Sequence, residues 1–157
     1  MRLTMRSNLA MRTLMQCAVN VDRTVQARDV ASACNASVNH VAQVVSRLAE
    51  AGLLATARGR GGGLRLARPA REISVGAVLR RFEADVPFAE CMAATGNTCP
   101  LPAACRLRGA LSRALEAFYC ELDRLTLADL VDDNAALAAL LALPQRDAPG
   151  CAAGTAT

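Results

Sequence analysis

Three features, read in chain order, predict a mainly α fold. Three short helical periods lie between residues 5 and 51, an alternating apolar segment follows around a run of glycines, and a long amphipathic period occupies residues 106–125. Helix, turn, helix and hairpin in this succession make a winged helix-turn-helix with a β-hairpin wing, and a long C-terminal helix is added to it. At 157 residues the chain suits one domain, or one domain with an oligomerisation element. The apolar fraction is 53% with only 3% aromatic residues and no Trp, so aliphatic packing carries the core. The stacking platforms used by single-strand nucleic-acid binders are missing from such a composition.

Each element has its own signal. Thr4 caps a helix over 5–21 with Leu9, Leu14, Met15 and Ala18 along one side. A second helix covers 24–34, with Val25, Val30 and Ala31 apolar. Asn35-Ala36-Ser37 breaks the pattern, and Ser37 caps a third helix over 38–51. Val41, Val44, Val45 and Leu48 form its buried stripe, and Gly52 ends it. In LLATARGRGGGLRLARP, Leu54 and Thr56, then Leu64 and Leu66, alternate with their neighbours on either side of the glycines; Pro69 closes this hairpin. Ser74 caps a short helix to about residue 82.

Residues 83–105 have no periodicity and hold three Cys among Pro87, Gly96, Pro100 and Pro102. The long helix then places Leu107, Leu111, Ala114, Phe118, Leu122 and Leu125 at steps of three and four. Thr126 with Asp129 forms a capping box for a further turn or two, and NAALAALLAL makes a last helix up to Pro144. The chain thus divides into a winged helix-turn-helix over 1–82, a cysteine loop over 83–105, the two C-terminal helices over 106–143 and a disordered tail over 144–157.

Charge is segregated. Every basic residue is Arg; residues 1–81 hold thirteen against four carboxylates, a balance of +9, whereas residues 82–157 carry −5. A basic first half facing a polyanion is the expected consequence. No stretch reaches the ~18 apolar residues of a membrane span. The N-terminus is interrupted by Arg2, Arg6 and Arg12 and lacks a signal-peptide core, so a cytoplasmic location is expected. Seven Cys in that setting read as reduced thiols or ligands, not as a disulfide framework.

The third helix buries one face and offers Asn39, His40, Gln43 and Arg47 on the other, with Ser37 at its start. These side chains suit base edges and phosphates of double-stranded DNA. In the hairpin, Arg58, Arg60 and Arg65 surround the glycines, whose small size lets backbone approach a duplex. The strand–GxxxxGK[ST]–helix order of a phosphate-binding loop is absent. His40, the single histidine, lies on the exposed arc and reads as a DNA contact, not as a catalytic or metal group. No His/Asp set accompanies a Cys nucleophile and no carboxylate pair is arranged for acid–base work, which argues against an enzyme.

Cys91-x7-Cys99-x5-Cys105 places three thiols in one Pro/Gly loop. Thiolates bind iron–sulfur clusters and zinc. The paired C-x2-4-C knuckles of structural zinc are missing, but spacing alone leaves cluster, zinc and thiol sensor open. Cys17, Cys34 and Cys120 fall within helical stretches and read as small hydrophobes, while Cys151 lies in the tail.

Taken together, MRLT, VNHVAQVVSRLAEAGLL, ARGRGGGLRLARP with ISVGAVLRRFE, the block NTCPLPAACRLRGAL and the later LDRLTLADL resemble the iron–sulfur winged-helix transcriptional repressors. Within that family the likeness is to the nitric-oxide-sensing branch, and it covers roughly residues 1–131. The resemblance implies a homodimer with the long helix as its main contact, through Leu107, Leu111, Ala114, Phe118 and Leu122. It implies a 4Fe–4S cluster on Cys91, Cys99 and Cys105, with the cluster-bound form repressing nitric oxide detoxification genes and releasing operator DNA on nitrosylation. Family members carry an aspartate that reaches the partner's cluster as fourth ligand; this chain has Asn8 there, a neutral amide. Glu90, Asp85 or an exogenous molecule are the other candidates for that position. The cluster-supply sensors of the family have a histidine three residues after the third cysteine, where this chain has Arg108. Iron- or redox-sensing relatives with three cysteines, and zinc- or thiol-controlled winged-helix regulators, remain the alternative readings.

Overall fold

The computed structural model describes residues 3–59, 61–101 and 104–144. Its elements are α1 (Met5–Val19), α2 (Ala27–Cys34), α3 (Val38–Glu50), β1 (Leu54–Ala57), β2 (Gly63–Leu66), α4 (Val75–Glu83), α5 (Arg106–Asp123), α6 (Leu127–Val131) and α7 (Ala135–Leu141), with 3-10 turns at Ala70–Glu72 and Glu90–Met92. The order matches the expected winged helix-turn-helix followed by a long helix.

Side-chain caps set most helix starts, since the first N–H groups of a helix lack intrahelical partners. Thr4 accepts from the Ser7 N–H at 3.2 Å, Ser37 from that of His40 at 3.2 Å and Ser74 from that of Ala77 at 3.2 Å. Thr126 accepts from the Asp129 N–H at 3.3 Å, and Asp129 accepts the Thr126 N–H at 2.7 Å in return, completing the expected capping box.

Helix α1 is the central element and buries residues on most of its circumference, including Leu9, Ala10, Leu14, Cys17 and the polar Thr13. The Thr13 hydroxyl stays satisfied by donating to the Leu9 carbonyl at 2.7 Å. Around α1 pack Val30 of α2, Val41, Val44 and Leu48 of α3, Leu54 and Leu64 of the hairpin, Val78, Leu79 and Phe82 of α4, and Leu127 of α6.

Helices α1 and α2 are shorter than their periodicity suggests, and tertiary hydrogen bonds explain both. The first stops at Val19 because the Asn20 side chain donates to Gln16 O at 2.8 Å and to Leu141 O at 2.9 Å, and accepts from Leu143 N at 3.0 Å. The second starts at Ala27 instead of Thr24, because Val25 pairs with Leu64 of β2 through bonds of 3.1 and 2.7 Å. Extended backbone at Val25 is therefore part of the wing's root. The hairpin is antiparallel, with Leu54 opposite Leu66 and Ala57 opposite Gly63.

Helix α4 is tied to the C-terminal part by Arg80, whose guanidinium bonds Glu116 at 2.9 and 3.1 Å and Asp123 at 2.6 Å, and lies 4.6 Å over the Tyr119 ring. Helix α5 ends at Asp123, two residues before the expected Leu125, whose carbonyl instead accepts the Val75 N–H at 2.9 Å. Tyr119 is its one buried residue. Leu115, Phe118 and Leu122 are half-buried against the core, while Leu107 is 64% exposed. No helix among the described residues is long and apolar enough to cross a membrane.

Candidate nucleic-acid interface and cysteine loop

A recognition face must leave polar side chains free on a rigid helix, and α3 does so. Its inner stripe of Val41, Val44, Val45 and Leu48 is buried, while Ser37, Asn39, His40 and Gln43 are exposed on the other side. Val38, in its first turn, is also exposed.

Arg47 is placed differently from the rest of the predicted arc. Its guanidinium bonds the Asp85 carboxylate at 2.9 Å and lies 5.3 Å from the centre of the buried Phe82 ring. The side chain is thus turned toward the end of α4. Nothing in local spacing around Arg47 announces Asp85, 38 residues away.

The wing follows β1 and β2. Arg58 is exposed at its tip, and Arg65 is exposed with its guanidinium bonded to the Thr24 hydroxyl at 3.0 and 3.1 Å. Arg60 lies outside the described residues. Gly63 adopts φ +145°, and a β-carbon there would come within 2.6 Å of both the Thr24 methyl and the Val25 carbonyl. The hairpin crosses the α1–α2 connection too closely for any side chain. The Gln26 side-chain amide donates to the Gly62 carbonyl and fixes the same junction.

The cysteine loop leaves α4 at Glu83 and enters α5 at Arg106. Glu83 Oε1 accepts from Thr4 N at 2.7 Å, Thr4 Oγ1 at 3.0 Å and Ser7 Oγ, so the start of α1 is fastened to the loop's origin. Burial pushes the Glu83 carboxyl up, but the hydrogen bonds from Ser7 and Thr4 and the Arg6 charge outweigh it and hold it below the usual Glu range. Asn8, one turn into α1, is half-buried and donates to Thr4 O at 3.1 Å.

Cys91, Cys99 and Cys105 carry free thiols and are half-buried. Cys91 lies in the 3-10 turn and Cys105 is the residue before α5. Glu90 accepts from the Thr98 N–H at 2.8 Å and the Thr98 hydroxyl at 2.6 Å, closing the loop between the neighbours of Cys91 and Cys99. Asn97 caps the Cys99 N–H at 3.0 Å, and Gly96 takes φ +77° at the bend. Among the described residues no three His, Cys, Asp or Glu side chains gather around a point for a single ion. Three thiols around one closed loop match an iron–sulfur group in donor chemistry and leave a fourth ligand to be supplied from elsewhere. Of the carboxylates considered for a fourth ligand, Glu90 is engaged with Thr98 and Asp85 with Arg47.

The other thiols are set apart. Cys17 is core, with burial pushing its thiol up to about 12. Cys34 is also raised by burial, partly offset by the Arg12 charge. Cys120 is exposed and contacts Glu116 at 3.4 Å. Cys151 lies outside the described residues.

Comparison with known proteins gives a consistent result. The family model Rrf2, described as iron-dependent transcriptional regulator, matches residues 3–133. The chain is 44% identical over 142 residues to the HTH-type transcriptional regulator NsrR of Geobacillus kaustophilus, covering 90% of this chain and 97% of that protein. It is 44% identical over 133 residues to the HTH-type transcriptional repressor NsrR of Streptomyces coelicolor, covering 83% of this chain and 88% of that one. Among solved structures, the oxidised form of Staphylococcus aureus CymR superposes with a TM-score of 0.66 at 26% identity, over 84% of this chain and 97% of that chain.

Proposed function

The chain belongs to the Rrf2 family of iron-dependent transcriptional regulators, and from that premise we propose that it is an iron–sulfur-dependent repressor that binds operator DNA as a homodimer and releases it in response to nitric oxide. It is a transcriptional regulator and not an enzyme. The observation that carries the finer reading is the loop of three half-buried free thiols between α4, whose Phe82 ring lies beneath Arg47 of α3, and α5, the helix with an uncovered apolar face. The NsrR relatives from Geobacillus kaustophilus and Streptomyces coelicolor support the same branch.

In this reading Cys91, Cys99 and Cys105 would hold a 4Fe–4S cluster, and Asn8 of the partner subunit would be the candidate for its fourth ligand. When bound, the cluster supplies an iron open to a small diatomic ligand. The protein's part is positional. Glu90 and Thr98 keep the loop closed, and Glu83 fastens the loop's origin to the start of α1. On α3, Ser37, Asn39, His40 and Gln43 meet base edges and phosphates, with Arg58, Arg60 and Arg65 of the wing on the backbone or minor groove. Leu107, Leu111 and Ala114, with Phe118 and Leu122 behind them, supply the dimer contact. Two recognition helices carried by one dimer read half-sites about one turn (~34 Å) apart, so a change in the loop that shifts α5 alters their spacing.

The test is an ultraviolet–visible spectrum of full-length protein purified without oxygen, before and after nitric oxide, with DNA binding followed in parallel. A broad visible absorption from thiolate-bound iron–sulfur, bleached as DNA is released and absent from Cys99→Ala, is the expected result. A colourless protein that binds DNA would replace this reading with zinc or thiol control. A chromophore indifferent to nitric oxide would replace it with iron or redox sensing.

A further inference from the structure

An arginine on a recognition helix has two possible partners of similar chemistry, a DNA phosphate and a carboxylate of its own chain. Arg47 takes the second. Its guanidinium is bonded to Asp85 Oδ2 at 2.9 Å and stacked 5.3 Å from the Phe82 ring centre, two independent contacts that draw it to the end of α4. Its side chain is 31% exposed and that of Asp85 is 63% exposed, so the pair lies at the surface where a competing anion can reach it. Asn39, His40 and Gln43, on the same helix, are exposed. Asp85 stands two residues past the end of α4 and six before Cys91, at the root of the cysteine loop.

We propose that Asp85 acts as an internal substitute for a DNA phosphate, holding Arg47 out of the interface, so that the position of the loop's root sets how many cations α3 presents to the duplex. The inference rests on the DNA-binding reading of α3 but not on what Cys91, Cys99 and Cys105 hold. Physically, Arg47 must give up Asp85 before a phosphate can take its guanidinium, so the internal pair subtracts from what that DNA contact would gain. Movement of the loop's root away from α3 therefore frees one cation for DNA, and movement toward it withdraws that cation.

The experiment compares the full chain with Asp85→Asn, Arg47→Ala and the double variant, using fluorescence anisotropy on a short mixed-sequence duplex over a range of salt. Asp85 is exposed, so its substitution leaves the fold intact, which a thermal melt verifies. The expected result is several-fold tighter binding by Asp85→Asn, with log K falling more steeply against log salt by about 0.9, and loss of that gain in the double variant. Unchanged binding by Asp85→Asn, or a gain that persists without Arg47, overturns the proposal. Salt-independent binding, or none, by the unsubstituted chain overturns the DNA-binding reading itself and this inference with it.

Discussion

Glu90 and Thr98 are joined by two hydrogen bonds to one carboxylate oxygen, from the Thr98 N–H at 2.8 Å and its hydroxyl at 2.6 Å. The clasp links the immediate neighbours of Cys91 and Cys99 and closes the loop without help from any helix. The side-chain bond from Thr98, then its backbone bond, hold the Glu90 carboxyl below the usual Glu range. A depressed carboxyl contributes its order above the unfolded Glu value and loses it as pH falls through the folded value. The Thr98 amide proton signal is therefore expected to shift in that acidic window. In Glu90→Gln the titration disappears.

Glu83 performs the same service for α1. Glu83→Gln removes a charged acceptor from Thr4 and Ser7, with an expected loss of about 1–3 kcal/mol in urea unfolding. Because the Glu83 carboxyl is also held low, the difference between the two proteins is full near neutral pH. It shrinks as pH falls through the folded value. A constant difference at all pH values would show that the carboxylate charge is irrelevant.

Gly63→Ala tests the root of the wing. The φ of +145° and the 2.6 Å approach to Thr24 and Val25 leave no room for a β-carbon. The expected outcome is a melting temperature several degrees lower, from a loss of about 1–3 kcal/mol, and weaker duplex binding. Gly59→Ala carries the backbone strain of φ +95° but no clash, since its β-carbon meets nothing within 4 Å, and costs less.

Thiol reactivity is predicted to divide by location. Cys17 is 3% exposed with its thiol pushed up to about 12, so it resists iodoacetamide in the folded protein. The exposed Cys120 and the half-buried loop cysteines are alkylated first in metal-free protein. Peptide mass spectrometry reads the order, and early labelling of Cys17 would contradict the packing of α1.

The uncovered face of α5 makes a prediction about assembly. Leu107→Glu with Leu111→Glu leaves the core untouched, since neither residue is buried, and on the proposed homodimer reading it yields a monomer in sedimentation. Phe118→Ala would act differently, because Phe118 also packs on the core and lies 5.4 Å from the Tyr119 ring.

Local features of the sequence determined the helix caps at Thr4, Ser37, Ser74 and Thr126, the apolar stripe of α3 and the hairpin order. Each of these depends on residues within a few positions of one another, where hydrogen-bond reach and the 3.6- and 2-residue periods act. Grouping of the three cysteines in one loop was legible for the same reason. What only the tertiary structure decided involves partners far apart in the chain. Leu64 draws Val25 out of the second helix, and Asn20 ends the first by bonding to residues 141 and 143. Arg80 lies over Tyr119, the buried residue of α5, and Asp85 holds the Arg47 guanidinium at the end of α4. In the first two cases long-range hydrogen bonds outweigh a helical preference of a few tenths of a kcal/mol per residue; in the last two a distant ring or carboxylate orients a side chain, and no local pattern records where such a partner will be.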